Sequence, residues 1–196
     1  KVTISKLEPT PVDRGKLIEN PGTDYKRYTF TEDGVSPYVK VGTENGDFIA
    51  SPYENDEYGA TTEEPELKVA MTNKRAKKLQ NFYANEGIRG FRVVNPIAKK
   101  MIVTFSFTAY TAEAFVEQNP EWGVIIITCL KPINPILRDV IIACEKIVFV
   151  ESNYSGQLED YVTKEFGLKY VSTLEISHIR KYDLFPFYME DFDSLK

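Results

Sequence analysis

From residue 100 onward the sequence alternates strand-length apolar runs with helix-length segments, and that alternation leaves few folds open. Lys100 to Phe107 is rich in Ile, Val, Phe and Thr; Val124 to Leu130 repeats that character, and Lys146 to Glu151 does so again. Strands buried on both faces show continuous apolar runs of this kind. Thr108 to Gln118 reads as a helix ended by Asn119-Pro120, and Asn134-Pro135 opens a second helix through Cys144 with Pro at its first position. Ser155 to Phe166 reads as a third helix closed by Gly167, and Tyr170 to Leu174 as a fourth strand. The order β-α-β-α-β-α-β predicts the α/β class: a doubly wound, mostly parallel sheet with helices on both faces.

Residues 1–60 differ in kind. Turn signals recur at Glu8-Pro9-Thr10-Pro11, Asn20-Pro21-Gly22, Asp33-Gly34, Ser36-Pro37, Asn45-Gly46 and Ser51-Pro52, with only short β-prone stretches between them. Such a segment has little core of its own and stays ordered by lying over another domain or chain, so an extended interface arm is expected. A linker helix is expected over 61–90. Thr61 and Glu64 match a capping box, Pro65 suits a first turn, Leu67, Met71, Leu79 and Phe82 recur at helical spacing, and Asn85-Glu86-Gly87 stops the helix. The α/β domain would then occupy 91–196.

Charge is unevenly distributed. The net charge is −5, but residues 1–66 sum to −7, residues 67–100 to +8 and the remainder to −6. The basic block holds Lys68, Lys74, Arg75, Lys77, Lys78, Arg89, Arg92, Lys99 and Lys100. It reads as a solvated helix face or as an anion site for a subunit or a phosphorylated ligand. The acidic total argues against nucleic acid as the main partner. No apolar run reaches the roughly 20 residues of a membrane helix. Cys129 and Cys144 are too few for a disulfide framework, a zinc site built from cysteines or an iron–sulfur cluster, and both read as buried thiols of a reducing cytoplasm. The opening at Lys1 predicts a piece of a longer polypeptide.

Phosphate-loop, dinucleotide, serine-elbow and zinc-protease signatures are absent. His178 falls after the last expected strand and reads as a surface residue. More informative is Glu151-Ser152-Asn153-Tyr154-Ser155-Gly156-Gln157, just past a central strand and at the start of a helix. Ligands bind there in doubly wound folds, and free backbone N–H groups attract anions. Asn153, Ser155 and Gly156 are therefore candidates for contact with a phosphate, a carboxylate or a partner subunit, against a reading in which Asn153 or Ser155 merely caps the helix.

Several ordered stretches together resemble the α subunit of the 2-oxoacid:ferredoxin oxidoreductases. They are Asp13-Arg14-Gly15-Lys16, Tyr28 to Pro37, Tyr53 to Gly59 with Thr61 to Glu66, Lys74-Arg75 with Lys78-Leu79, Phe149 to Leu158, and Lys181-Tyr182-Asp183 with Pro186-Phe187. The resemblance implies a domain like the C-terminal domain of transketolases, and an interface at Asp33, Gly34, Ser36, Glu54, Asp56 and Glu57. It implies an enzyme that converts a 2-oxoacid to acyl-CoA with thiamine diphosphate, Mg²⁺ and [4Fe–4S] clusters and passes electrons to ferredoxin. Those cofactors would be held by a partner β subunit and by the remaining α-subunit domains, so this chain alone would bind none of them, contain no catalytic residue and be inactive. The chain departs from the family pattern at Tyr38, at Asn55 and at Thr104 to Ala109, where a glycine-rich turn is usual, and at Leu184-Phe185 in place of Gly-Arg. The alternative is a binding or assembly module that keeps the fold without the chemistry.

Overall fold

In the computed structural model, which describes residues 13–84 and 89–196, the apolar runs form the centre of a five-stranded sheet. Its strands are β1 (Phe91–Val94), β2 (Lys100–Phe105), β3 (Trp122–Ile127), β4 (Lys146–Glu151) and β5 (Glu175–Arg180), in the spatial order β1-β3-β2-β4-β5. All neighbours are parallel except β1, which runs antiparallel to β3 with Phe91 opposite Ile127. Helix α2 (Thr108–Gln118) follows β2, α3 (Ile136–Ile142) follows β3 and α4 (Gln157–Phe166) follows β4.

Alternation along the strands sends side chains to two separate cores. Met101, Val103, Ile125, Ile127, Ile147 and Phe149 pack with Leu137 and Ile141 of α3 and with Leu158, Val162 and Phe166 of α4. Ile102, Val124, Ile126, Val148 and Val150 pack on the other face with Ala112 and Phe115 of α2 and with Phe187 and Phe192 near the carboxyl end. The sheet is thus covered on both faces, as the doubly wound reading expects.

The chain divides into two compact units, Lys1–Ala84 and Asn85–Lys196. The first consists of turns and isolated bridges around α1 (Pro65–Gln80). Among its described residues, the buried apolar side chains are Tyr25, Val39 and Met71, whereas Val41, Ile49, Tyr53 and Val69 are exposed.

Several local expectations are corrected. The last strand is not Tyr170 to Leu174. Gly167 turns left-handed (φ 63°), Leu168–Tyr170 forms a short 3₁₀ turn, and pairing with β4 begins only at Glu175, opposite Lys146. His178 therefore sits within β5 rather than after the sheet. Strand β3 covers Trp122–Ile127 instead of Val124 to Leu130, because the Thr128 and Cys129 N–H groups leave the ladder to bond the Gly90 carbonyl. The sequence reading also missed β1, a short edge strand with one fully buried residue. Helix α1 has Glu64 as N-cap, and the Thr61 capping box does not form; the Glu64 N–H bonds the Thr62 hydroxyl at 3.2 Å. The expected stop at Asn85-Glu86-Gly87 and the turn at Glu8 to Pro11 lie outside the described residues.

Candidate functional site

The crossover pattern opens a crevice at one place. Strands β2 and β4 are neighbours, but β2 leads to α2 on one face and β4 to α4 on the other. Their ladder ends at Val103 opposite Phe149, while the strands continue to Phe105 and Glu151. The buried Thr104 hydroxyl donates to the Val150 carbonyl at 2.8 Å and ties the two strands where the ladder has stopped. This is the switch point at which doubly wound folds receive ligands.

A cleft of about 500 Å³ lies beside it, lined by Phe105, Leu130, Lys131, Asn153, Gln157, Leu158 and Tyr161. Its floor is apolar, with one cation, two amides and a phenol at the walls. Burial, followed by Glu165 and Cys129, raises the Tyr161 pKa and keeps its hydroxyl as a donor. Among the described residues, the lining holds no carboxylate, imidazole or thiol. Such an arrangement can bind and orient an organic group with a polar or anionic end.

Among the predicted turn residues, Asn153 reaches this cleft, whereas Ser155 and Gly156 are not in its lining. Neither Asn153 nor Ser155 caps α4. The N-cap is Gly156, at φ 73°, and the capping acceptor is Glu151, a wholly buried carboxylate at the end of β4. Glu151 accepts from the Leu158 N–H (2.9 Å), the Glu159 N–H (3.1 Å) and the Asn153 side-chain amide (2.8 Å). Two of the N–H groups that the sequence reading left free are therefore already engaged by an internal anion. The missed signal was an acid directly after four apolar strand residues and before a helix start, where the dipole favours negative charge. Gly156 has a further role, since a Cβ there would run into the Arg180 guanidinium. Arg180 pairs with Glu159 at 2.5 Å, and His178 Nδ1 lies 3.2 Å from the same carboxylate.

The residues expected at an interface hold the first unit together internally. Asp33 takes Lys16 at 2.6 Å and the Val35 N–H at 3.1 Å, which together lower its pKa to about 2. Gly34 presses on the α1 backbone, and the Ser36 hydroxyl bonds the Thr29 carbonyl. Glu54 grips Arg75 through both oxygens at 2.8 Å. Asp56 accepts from the Tyr58 and Ala60 N–H groups, and Glu57 accepts from the Thr29 hydroxyl and the Phe30 N–H.

No family model matches the chain. Curated relatives do. It is 30% identical over 161 residues to 2-oxoacid:ferredoxin oxidoreductase 2, subunit alpha, of Aeropyrum pernix, covering 78% of this chain and 25% of that protein. It is 30% identical over 173 residues to the corresponding subunit alpha of Saccharolobus solfataricus, covering 83% and 27%. The chain is homologous to part of the α subunits of 2-oxoacid:ferredoxin oxidoreductases. It spans about a quarter of the length of these α subunits. Its fold matches a solved 2-oxoglutarate:ferredoxin oxidoreductase from Magnetococcus marinus, with 2-oxoglutarate, coenzyme A and succinyl-CoA bound. That match has a TM-score of 0.75 and 24% identity, and covers 92% of this chain and 31% of the other. No helix among the described residues is long and apolar enough to cross a membrane.

Proposed function

We propose that this chain is a C-terminal portion of the α subunit of a 2-oxoacid:ferredoxin oxidoreductase, a cytoplasmic enzyme that oxidises a 2-oxoacid to acyl-CoA and reduces ferredoxin. The observation that carries this reading is the 30% identity to two such α subunits across about four-fifths of the chain. In this reading, 1–60 is an interface arm, 61–90 a linker helix and 91–196 a transketolase C-terminal-like domain that frames the active site. The exposed apolar side chains and scarce core among the described residues of the first unit support an arm completed by other domains and the β subunit. The Asn153 to Gly156 turn and its neighbouring cleft would meet CoA or a partner chain.

Thiamine diphosphate would supply the carbanion chemistry and [4Fe–4S] clusters the electron path. Among the described residues, no three His, Cys, Asp or Glu side chains gather where a metal ion could sit, and two cysteines do not make a four-thiolate site. The reading assigns Mg²⁺ and the clusters to the β subunit and the remaining domains. The assembly-module alternative gains support from Ser106. It holds a left-handed backbone (φ 58°) between Phe105 and Phe107, in the turn where close approach by a ligand favours glycine.

Hydrogen exchange tests the assembly role. In the isolated chain, residues 28–60 are expected to exchange fast and 101–105 and 146–151 slowly; with the β subunit added, 28–60 become protected. Equal protection of 28–60 with and without the β subunit contradicts the arm.

A further inference from the structure

The basic block on α1 does not all lie on an open, solvated face. Lys74, Arg75 and Lys78 converge with Arg27 on a cavity of about 480 Å³ within the first unit. Arg75 is neutralised by its two-pronged pairing with Glu54. Arg27, Lys74 and Lys78 form no ion pair with a carboxylate among the described residues. Arg27 instead lies over the Tyr28 and Phe48 rings, at 5.4 and 5.6 Å. The pKa of Lys74 is lowered by burial and then by the like charges of Arg27, Lys78 and Arg75, which outweigh the opposing pull of Glu57. Asn55, on the same wall, has a buried side-chain oxygen with no hydrogen-bond partner among the described residues.

We propose that this cavity binds the phosphoryl group of a small phosphorylated molecule. Three cations with no direct carboxylate ion pair among the described residues ask for more negative charge than one carboxylate carries. A phosphate or diphosphate brings two or more charges, with oxygens that a guanidinium fork and two ammonium groups engage from different sides. A half-turn of the Asn55 amide replaces its unpartnered oxygen with an N–H donor. The volume lies in the range of small-molecule sites. The inference stands on this cluster alone and is independent of the family assignment.

Calorimetry of the full chain with pyrophosphate, at matched ionic strength and with glutarate as a dicarboxylate comparator, tests it. One pyrophosphate per chain is expected. Lys74→Gln and Arg27→Gln should each weaken it about tenfold or more, while Lys74→Arg retains most of the affinity. Lys77→Gln, on the same helix but outside the cavity lining, should leave it unchanged. Melting of each ligand-free variant confirms that the fold is kept. Undetectable binding, equal loss in Lys77→Gln or glutarate binding as tightly as pyrophosphate would overturn the proposal.

Discussion

Glu151→Ala is expected to lower the stability of the α/β unit by about 3 kcal/mol, since each buried donor left without an acceptor costs roughly 1–3 kcal/mol. The carboxylate is wholly buried and accepts from the Leu158 N–H, the Glu159 N–H and the Asn153 amide. Its removal strands first-turn donors of α4, of which the Leu158 bond is buried, and deletes a negative charge at the positive end of the helix. Glu151→Gln keeps one acceptor but turns an NH₂ toward the remaining donors, so its loss should be smaller yet clear. Asn153→Ala removes only a donor to Glu151, and about 1 kcal/mol or less is expected, the net worth of an ordinary hydrogen bond. Denaturant midpoints of the three variants give the order. Asn153→Ala costing more than Glu151→Ala would return the capping role to Asn153.

Gly34→Ala is expected to destabilise the first unit by about 3 kcal/mol, combining a strained left-handed backbone (~1–3 kcal/mol) with overpacking (~1–3 kcal/mol). Gly34 has φ +78°, and a Cβ would lie 2.6 Å from the Lys74 carbonyl oxygen and 2.8 Å from the Lys78 N. Both are helix backbone atoms that cannot yield without loosening α1. Gly42 supplies the control, with φ +85° and nothing within 4 Å of its would-be Cβ, so Gly42→Ala should show the backbone cost alone. With Tyr25, Val39 and Met71 as the buried apolar side chains among its described residues, the first unit is expected to have little stability to lose. Proteolysis is therefore expected to cut within 28–60 in Gly34→Ala while the sheet remains resistant. Equal susceptibility of the Gly34 and Gly42 variants would show that the contact with α1 contributes nothing.

The same physics decides which parts of the molecule were legible in the sequence. Met101 to Thr104 and Ile147 to Val150 are buried on both faces, and their unbroken apolar runs marked them as central strands. Phe91–Val94 and Glu175–Arg180 are edge strands whose half-exposed residues carry polar side chains at Arg92, Ser177 and His178, so their composition resembles that of loops. The apolar run beginning at Tyr170 misled because Gly167 had already turned the chain into a 3₁₀ segment. Asn153 was recognisable from its place after a strand. Lys131, Gln157 and Tyr161 were not, since the cleft joins segments that only the crossover brings together. The convergence of Arg27 with α1 is likewise set by how the turns of the first unit fold back, which no local pattern encodes.

The most direct measurement of the proposed function is ferredoxin reduction by the protein that contains this chain, purified with the proposed β subunit. The complex is supplied with thiamine diphosphate, Mg²⁺, CoA and, in turn, pyruvate, 2-oxobutyrate and 2-oxoglutarate. The account predicts reduction that requires both a 2-oxoacid and CoA, and that is lost when the segment corresponding to this chain is deleted. An intact, cluster-loaded complex that reduces ferredoxin with none of these acids, or that loses nothing on the deletion, would contradict it.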